Sequence, residues 1–260
     1  MIYLNGKPLV SPMLTMFPDN TSQVWHLPES TFQAKTALVL WDYTNEAEIM
    51  HLAQLSDLLQ KENVELKTTL IIKCLPYARQ DKPIGNNATF ALQTFLKILR
   101  TLHFHKIIVN DPHNANAFRP KCQWQAVYPI AEVHNTIKEV QADILCYPDK
   151  GALTKYTSIY DYPHIYGEKV RDQQTGNIIS YQVVGDCTGK NVLIVDDICD
   201  GGATFKLLAK DLLAGGAKSV VLFVTHGIFS KGVRTLFESG IQRVFTQDGE
   251  VSERHGSFHL

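Results

Sequence analysis

Two adjacent carboxylates, Asp196 and Asp197, stand between an apolar run and a small-residue turn. Residues 192–195 are all aliphatic, which predicts a buried strand, and residues 205–213 have the apolar spacing of a helix. The intervening turn contains Gly201, Gly202, Ala203 and Thr204. A strand, a glycine turn and a helix N-terminus together present free backbone N–H groups and the positive end of the helix dipole to one point. The pattern therefore predicts an anion cradle directly after a pair of acidic side chains.

The two carboxylates narrow the choice of anion. A phosphate alone gains nothing from negative neighbours, whereas carboxylates form strong, short hydrogen bonds with hydroxyl groups. A ligand that carries hydroxyls beside its phosphate satisfies both parts of the pattern, and a ribose phosphate is such a ligand. The alternative is an acidic strand-to-helix turn that binds nothing.

Two further polar segments follow strand-like runs. Residues 77–82, Tyr-Ala-Arg-Gln-Asp-Lys, follow the largely apolar residues 69–75. Residues 109–118, which contain the triplet Asp-Pro-His, follow the strand-like run Lys-Ile-Ile-Val at 106–109. Ligands of parallel sheets bind at the carboxyl ends of the strands, so each segment is a candidate binding loop.

Residues 192–204 resemble the thirteen-residue phosphoribosyl pyrophosphate (PRPP) motif, which type I phosphoribosyltransferases and PRPP synthetases share. Residues 77–82 resemble the signature with which PRPP synthetases hold ATP, and residues 109–118 resemble their Asp-x-His segment. Transferases that consume PRPP lack both segments. Shorter matches keep the order of the PRPP synthetases at residues 17–19, 147–151, 168–171 and 225–229. The chain thus resembles the PRPP synthetase, or ribose-phosphate diphosphokinase, family over nearly its whole length.

The resemblance implies transfer of a diphosphate from ATP to the C1 hydroxyl of ribose 5-phosphate, with Mg2+ as cofactor and AMP as the second product. Lys169 and Arg171 match the family's two cations that stabilise the transferred group, although such a pair is also typical of solvated surface charge. His113 and Asp149 are the implied metal-associated residues. The implied ATP contacts are Phe17, Asp19, Arg79, Gln80, Asp81, Lys82 and His113. The implied ribose-phosphate contacts are Asp196, Asp197, Asp200, Gly201, Gly202, Ala203 and Thr204. For the acidic pair, a water-mediated magnesium contact and plain surface charge are the alternatives.

Two positions depart from the family pattern. Thr21 stands where the loop after Phe17 usually carries a glutamate, which weakens the expected contact with adenine across a subunit interface. Gly201 stands where the cradle usually has a threonine, and losing one hydrogen bond to a charged phosphate costs about 1.5–3 kcal/mol. A smaller residue also opens the cradle to an acceptor whose 5-phosphate continues into a larger group, such as ADP-ribose. Ribose 5-phosphate and ADP-ribose are both open as acceptors, and neutral variation is the other explanation of Gly201.

The shortened chain also resembles phage-type enzymes that make ADP-ribose pyrophosphate for NAD salvage. Two other classes are the alternatives to a diphosphokinase. A phosphoribosyltransferase that uses PRPP is disfavoured by the ATP-type segments. A non-catalytic, regulatory PRPP-synthetase-associated protein is disfavoured because such proteins tend to lose active-site residues, which are retained here. The resemblance further implies a homo-oligomer.

The overall composition excludes several classes of partner. The chain has 260 residues, 45% of them hydrophobic, and a formal net charge of −1, with its basic residues scattered. This balance gives no support to a nucleic-acid or anionic-membrane partner and leaves small-molecule substrates. Five irregularly spaced cysteines indicate free thiols, and the N-terminus lacks a signal-peptide pattern, so we expect a cytoplasmic protein.

Short apolar runs alternate with amphipathic stretches along the chain, which predicts an α/β fold with mainly parallel sheets. The resemblance implies two tandem type I phosphoribosyltransferase-like domains. Residues 1–125 would carry the ATP-side motifs, and residues 126–260 the ribose-phosphate motif. Residues 170–184 are polar and contain glycine, and we expect a hairpin or a lid over a water-sensitive reaction.

Overall fold

Contacts between residues divide the chain into two units, Met1–Tyr128 and a second unit that begins at Pro129. The computed structural model describes residues 1–83, 85–118, 123–171 and 178–252, with the backbone alone at 118, 169–171 and 178–181. Cys122 and residues 172–177 of the expected lid lie outside the described residues. The sequence placed the boundary after residue 125, and the roles assigned to its two halves stay predictions.

The first unit contains one main sheet and one small hairpin. Its elements are β1 (Ile2–Leu4), β2 (Lys7–Pro8), β3 (Leu14–Met16), β4 (Ser22–Val24), α1 (Glu29–Gln33), β5 (Thr36–Trp41), α2 (Ala47–Glu62), β6 (Lys67–Ile72), α3 (Ala91–Leu99), β7 (Lys106–Asn110), a 3-10 turn (Ala115–Phe118) and β8 (Trp124–Val127). The sheet has the order β2-β1-β5-β6-β7-β8, and β3 pairs with β4 separately. Strands β5 to β8 are parallel, whereas β1 and β2 add an antiparallel edge.

Helical periodicity explains how this unit builds its core. In α2 the fully buried leucines recur at intervals of three and four residues, as Leu52, Leu55 and Leu59. Helix α3 repeats the pattern with its own buried stripe of Leu92, Phe95, Leu96 and Leu99. Because each helix connects two parallel strands, its apolar stripe covers the sheet that it has just left.

The second unit is built around a seven-stranded sheet. Its elements are α4 (Ile130–Val140), β9 (Ile144–Tyr147), α5 (Lys150–Tyr156), β10 (His164–Arg171), β11 (Ile178–Val184), β12 (Asn191–Cys199), α6 (Ala203–Ala214), β13 (Ser219–Gly227), α7 (Arg234–Phe237), β14 (Arg243–Thr246) and β15 (Gly249–Val251). The strand order is β11-β10-β9-β12-β13-β14-β15. The central strands are parallel, and the two edge strands, β11 and β15, are antiparallel to their neighbours.

These two sheets confirm the predicted α/β class with mainly parallel strands. Two boundaries differ from the expectation. The central strand was expected at residues 192–195, but β12 continues to Cys199 because the nine-residue β13 pairs with it throughout. Helix α6 begins at Ala203 rather than at residue 205, since Gly202 takes the left-handed conformation that starts it. None of the described helices combines the length and the apolar character that crossing a bilayer requires.

Candidate functional site

The turn between β12 and α6 is where the sequence predicts an anion cradle. Gly202, the N-cap of α6, has φ +73°, and a Cβ at this position would lie 2.8 Å from Leu236 Cδ2. Only glycine fits there, because both the backbone conformation and the neighbouring leucine exclude a side chain. Glycine also offers no side-chain acceptor to the N–H groups in the first turn of the twelve-residue α6. Those N–H groups and the helix dipole suit a phosphate at this point.

The acidic pair lies inside β12, with its two members in different surroundings. Asp197 is buried, and its Oδ2 accepts a hydrogen bond from Lys155 Nζ at 2.9 Å. The side chains of both residues are largely enclosed, at 4% exposure for Asp197 and 14% for Lys155. Asp196 is partly exposed, and its Oδ1 accepts the N–H of Asp197 at 2.9 Å. Asp196 is therefore the member of the pair that is open to a ligand, whereas Asp197 is held by an internal cation.

The electrostatics of Asp196 point to a ligand that brings a proton or positive charge. Although the residue is partly exposed, the surrounding protein atoms desolvate this carboxyl and raise its pKa well above the usual value, and the neighbouring charges of Asp197 and Asp149 raise it further. The backbone N–H of Asp197 opposes the shift only in part. A carboxyl in this setting gains from a hydroxyl donor or a cation.

Asp149 shapes the same neighbourhood from the start of α5. Its Oδ1 accepts the N–H of Ala152 at 3.0 Å, so the carboxylate caps the helix that carries Lys155. Among the described residues, no group of three or more His, Cys, Asp or Glu side chains is arranged to hold a metal ion. Magnesium needs fewer protein ligands, because it keeps waters and binds substrate phosphates. Asp149 and Asp196 fit that requirement as oxygen donors, and His113, the other expected metal residue, lies in the first unit.

In the first unit, the segment after β6 forms a turn with an exposed polar tip. Tyr77 has φ +61°, its hydroxyl donates to Glu46 Oε1, and its carbonyl accepts the N–H of Gln80 at 2.9 Å. The hydrogen bond to Glu46 and burial raise the pKa of Tyr77 to about 12, so the hydroxyl keeps its proton. Arg79 and Gln80 are exposed at the tip of this turn.

A side-chain hydrogen bond joins the two polar segments that follow β6 and β7 in the first unit. Asp81 Oδ2 accepts a hydrogen bond from Asn114 Nδ2 at 3.0 Å across 33 positions of sequence. The loops after β6 and β7 are thereby linked at the carboxyl ends of two paired parallel strands. Lys82 and His113 are exposed in the same loops. The structure thus brings the expected residues 79–82 together with His113, and Asp81 acts in it as the link between the loops.

Phe17 and Asp19 lie in the hairpin loop between β3 and β4. The Asp19 Oδ1 atom accepts hydrogen bonds from the N–H of Thr21 at 3.0 Å and from its hydroxyl at 2.7 Å. These bonds lower the pKa of Asp19. The Phe17 ring stands edge-on to Trp25 at 6.4 Å and is 37% exposed. Thr21, which replaces the usual glutamate, therefore orients Asp19 beside a partly exposed aromatic ring.

Lys169 and Arg171 lie in the last part of β10, and their side chains are outside the described residues. The backbone of Lys169 pairs with Tyr181, and the register of the β10–β11 pair shifts between Val170 and Arg171. Just before them, Glu168 forms an ion pair of 2.7 Å with Lys150 of α5. This contact ties the start of the hairpin to the helix that Asp149 caps.

Sequence patterns did not single out three side chains of these sites. Lys155 and Asn114 each contact an expected site residue that is distant in sequence, and the stem of Lys231 borders the space beside Gly201. Lys155 lies on an ordinary short helix, and Lys231 in a loop with no phosphate-binding pattern. Asn114 was part of a motif segment, but its partner could not be inferred from spacing alone.

Comparisons with known proteins agree with this geometry. Residues 158–249 match the family model described as "Phosphoribosyl synthetase-associated domain". The chain is 30% identical to a ribose-phosphate pyrophosphokinase of Pyrococcus furiosus, over 86% of this chain and 81% of the relative. It is 28% identical to the enzyme of the same name from Saccharolobus solfataricus, over 90% of this chain and 83% of that protein.

A solved structure shares the fold. The crystal structure of phosphoribosylpyrophosphate synthetase from Mycobacterium smegmatis superimposes with a TM-score of 0.63 at 25% sequence identity. The match covers 76% of this chain and 66% of that one, which is just under two thirds of its length.

Proposed function

The chain belongs to the ribose-phosphate pyrophosphokinase family, and on this premise we propose that it is a diphosphotransferase acting on ATP and a ribose 5-phosphate unit. It moves the terminal diphosphate of ATP to the C1 hydroxyl of the acceptor, with Mg2+ as cofactor, and releases AMP. The observation that carries the proposal is the open carboxyl of Asp196 beside the glycine-capped start of α6. This pair of features suits a ligand with hydroxyls and a phosphate.

Acceptor binding follows from that geometry. The N–H groups at the start of α6 receive the 5-phosphate, and Asp200, Ala203 and Thr204 line the same turn. Asp196 accepts hydrogen bonds from ribose hydroxyls, each of which is a short bond to a charged group. The ion pair with Lys155 keeps Asp197 in place behind it. The 5-phosphate and the hydroxyls of the sugar are thereby both held in place, which orients the acceptor.

ATP binding is assigned to the linked loops of the first unit. Arg79, Lys82 and His113 are exposed there and suit phosphate oxygens, while Gln80 supplies a neutral hydrogen-bonding group. Phe17 and the oriented Asp19 suit an adenine ring and its amino group.

The transfer itself joins the C1 oxygen to the β-phosphorus and breaks the bond from the β-phosphorus to the α-phosphate oxygen. The hydroxyl proton passes to solvent water, and AMP leaves with the bridging oxygen. Lys169 and Arg171 are assigned to stabilise the negative charge on the moving diphosphate, as positioned cations do in phosphoryl transfer. When bound, Mg2+ would neutralise phosphate oxygens; Asp149 and Asp196 are the residues of the second unit that would hold it, and His113 stays the candidate metal residue of the first unit.

ADP-ribose is a second candidate acceptor because of Gly201. This residue has no left-handed conformation, and a Cβ on it would meet nothing closer than 3.5 Å. The fold therefore does not require glycine at this position. Room for a phosphate that continues into a second group supports ADP-ribose, whose product, ADP-ribose pyrophosphate, would place the enzyme in NAD salvage.

Release of AMP from Mg-ATP tests the proposal. Ribose 5-phosphate and ADP-ribose are offered in separate reactions, and the products are identified by mass. AMP with ribose 5-phosphate alone assigns PRPP synthesis, and AMP chiefly with ADP-ribose assigns the salvage reaction. Absence of AMP with both would overturn the proposal and leave a phosphoribosyltransferase or a non-catalytic regulatory protein.

The proposal includes the cellular setting and the assembly. Buried free cysteines, among them Cys146, Cys187 and Cys199, suit a reducing cytoplasm. A homo-oligomer is proposed from the family alone, and sedimentation of the purified protein measures it.

A further inference from the structure

The side chain of Lys231 lies across the turn that precedes α6. Its Cδ and Cε atoms are each 3.5 Å from the point where a Cβ on Gly201 would stand, and its Cγ is 3.8 Å from that point. The ammonium nitrogen is one single bond, about 1.45 Å, beyond Cε. The space that Gly201 leaves is therefore bordered by the stem of an exposed lysine.

The loop that carries Lys231 is anchored to the end of β12. The N–H groups of Ile228 and Phe229 donate to the carbonyl of Cys199 at 2.8 and 3.1 Å. Phe229 is buried with φ +49°, and its ring occupies the space beside Gly227, where a Cβ would lie 2.2 Å from the ring. The N–H of Gly232 then closes the turn on the carbonyl of Phe229 at 2.7 Å. Lys231 is thus held beside the cradle by the same strand end that leads into it.

The charges around the turn favour a cation at this place. Asp196, Asp197 and Asp149 concentrate negative charge near the end of β12, and the buried Lys155 pairs with Asp197. A phosphate that enters the cradle approaches this negative charge. No described acidic group forms an ion pair with Lys231, so its ammonium is available to the entering anion.

We propose that Lys231, whose stem borders the space left by Gly201, binds the acceptor's phosphate. The ligand class is a ribose with a phosphate on O5, which ribose 5-phosphate and ADP-ribose share. The proposal rests on the proposed function, which assigns such an acceptor to this cradle. A residue larger than alanine at position 201 would push the lysine stem aside, because the Cβ alone already reaches ordinary contact. The hydroxyl that the family usually has there is thus replaced by a charge from another loop.

Three variants distinguish the effect of the Lys231 charge from the effect of its side-chain shape. Lys231→Met keeps a flexible apolar stem and removes the ammonium, and Lys231→Arg keeps the charge. Lys210→Met, at an exposed position two turns into α6, is the matched control for losing one lysine charge. Binding of ribose 5-phosphate and of ADP-ribose to the intact protein is measured by calorimetry, beside the KM values for acceptor and for ATP.

We expect Lys231→Met to weaken binding of the acceptor about ten-fold to a hundred-fold, the loss of one hydrogen bond to a charged group. The KM for ATP should stay within two-fold, Lys231→Arg should recover most of the affinity, and Lys210→Met should match the parent. Equal acceptor affinity in Lys231→Met and the parent would overturn the proposal, as would failure of the parent to bind either acceptor. The acceptor whose affinity falls more in Lys231→Met is the one that Lys231 binds.

The two proposals fail in different ways. A parent that releases AMP while Lys231→Met binds the acceptor normally keeps the proposed function and removes Lys231 from it. A parent that binds ribose 5-phosphate through Lys231 but releases no AMP removes the diphosphotransferase and keeps the binding residue.

Discussion

Lys155 and Asp197 form an ion pair of 2.9 Å inside the second unit, between the last turn of α5 and the acidic part of β12. The Lys155 ammonium also lies 4.7 Å above the centre of the Tyr156 ring, which adds a favourable contact for the charge. Because both partners are largely enclosed, each needs the other to offset its loss of hydration. The pair joins the helix capped by Asp149 to the strand that carries Asp196.

Replacing Lys155 by methionine should destabilise the protein strongly. The change keeps the apolar bulk but leaves the Asp197 charge buried without its cation, which costs about 3–5 kcal/mol in the free energy of unfolding. Urea unfolding of the parent and the variant measures the difference. Lys150→Met is the control on the same helix, because Lys150 pairs with Glu168 at the surface. An equal effect of the two substitutions would contradict the importance of the buried pair.

Substitution of Asp196 by asparagine should stabilise the fold while impairing the reaction. A carboxyl whose pKa is raised in the folded state favours folding while it is protonated, and this contribution is lost as the pH rises through the raised pKa. Asparagine carries no charge at any pH. The Tm of the variant should therefore exceed that of the parent at pH 8, and the gap should narrow as the pH falls toward the usual carboxyl value of 3.8.

Measuring activity distinguishes a role of Asp196 in binding from a position at which asparagine is simply tolerated. The kcat/KM for the acceptor should fall about ten-fold to a hundred-fold in Asp196→Asn, since hydrogen bonds from hydroxyls to a charged group are lost. Asp161→Asn, at an exposed carboxyl of the same unit, serves as the control and should leave both quantities unchanged. A Tm difference that is constant with pH would argue against the raised pKa.

We expect the contact between Asp81 and Asn114 to affect the KM for ATP and to leave the KM for the acceptor unchanged. Asp81→Ala and Asn114→Ala each release one loop from the other, and we expect each to raise the KM for ATP. The double variant should be no worse than either single one, with a coupling of about 0.5–3 kcal/mol. Steady-state kinetics of the four proteins measure it, and Asn116→Ala, at an exposed neighbour, is the control. Additive effects would show that the loops act independently.

Gly201→Thr should shift the preference between acceptors toward ribose 5-phosphate. The added Cβ meets only the stem of Lys231, at 3.5 Å, so the fold should tolerate it. The hydroxyl and methyl beyond it narrow the side of the cradle where an acceptor such as ADP-ribose continues. We expect the ratio of kcat/KM values, ribose 5-phosphate over ADP-ribose, to rise about ten-fold, since a single steric or hydrogen-bond difference of about 1.4 kcal/mol suffices. Gly201→Ala adds the Cβ alone and should have a smaller effect. An unchanged ratio in Gly201→Thr would contradict the inference that Gly201 leaves space for a larger acceptor.

Much of this organisation could be predicted from local sequence. The alternation of apolar runs with amphipathic stretches predicted the α/β class, because strand and helix periodicities are properties of neighbouring residues. The glycine turn at 201–204 predicted an anion cradle for the same reason. The predicted end of β12 at residue 195 was wrong, since pairing with β13 extends the strand through Asp196 and Asp197.

The sequence by itself determined which elements form and which polar segments follow their strands. Only the tertiary structure decided which side chains meet there. The contacts of Asp197 with Lys155 and of Asp81 with Asn114 span 42 and 33 positions, and Lys231 reaches Gly201 from the loop after the neighbouring strand. Such contacts depend on how strands are ordered in a sheet and on where the loops between them close. No periodicity within a single segment encodes that packing, and it determines which of the two adjacent carboxylates is open to a ligand.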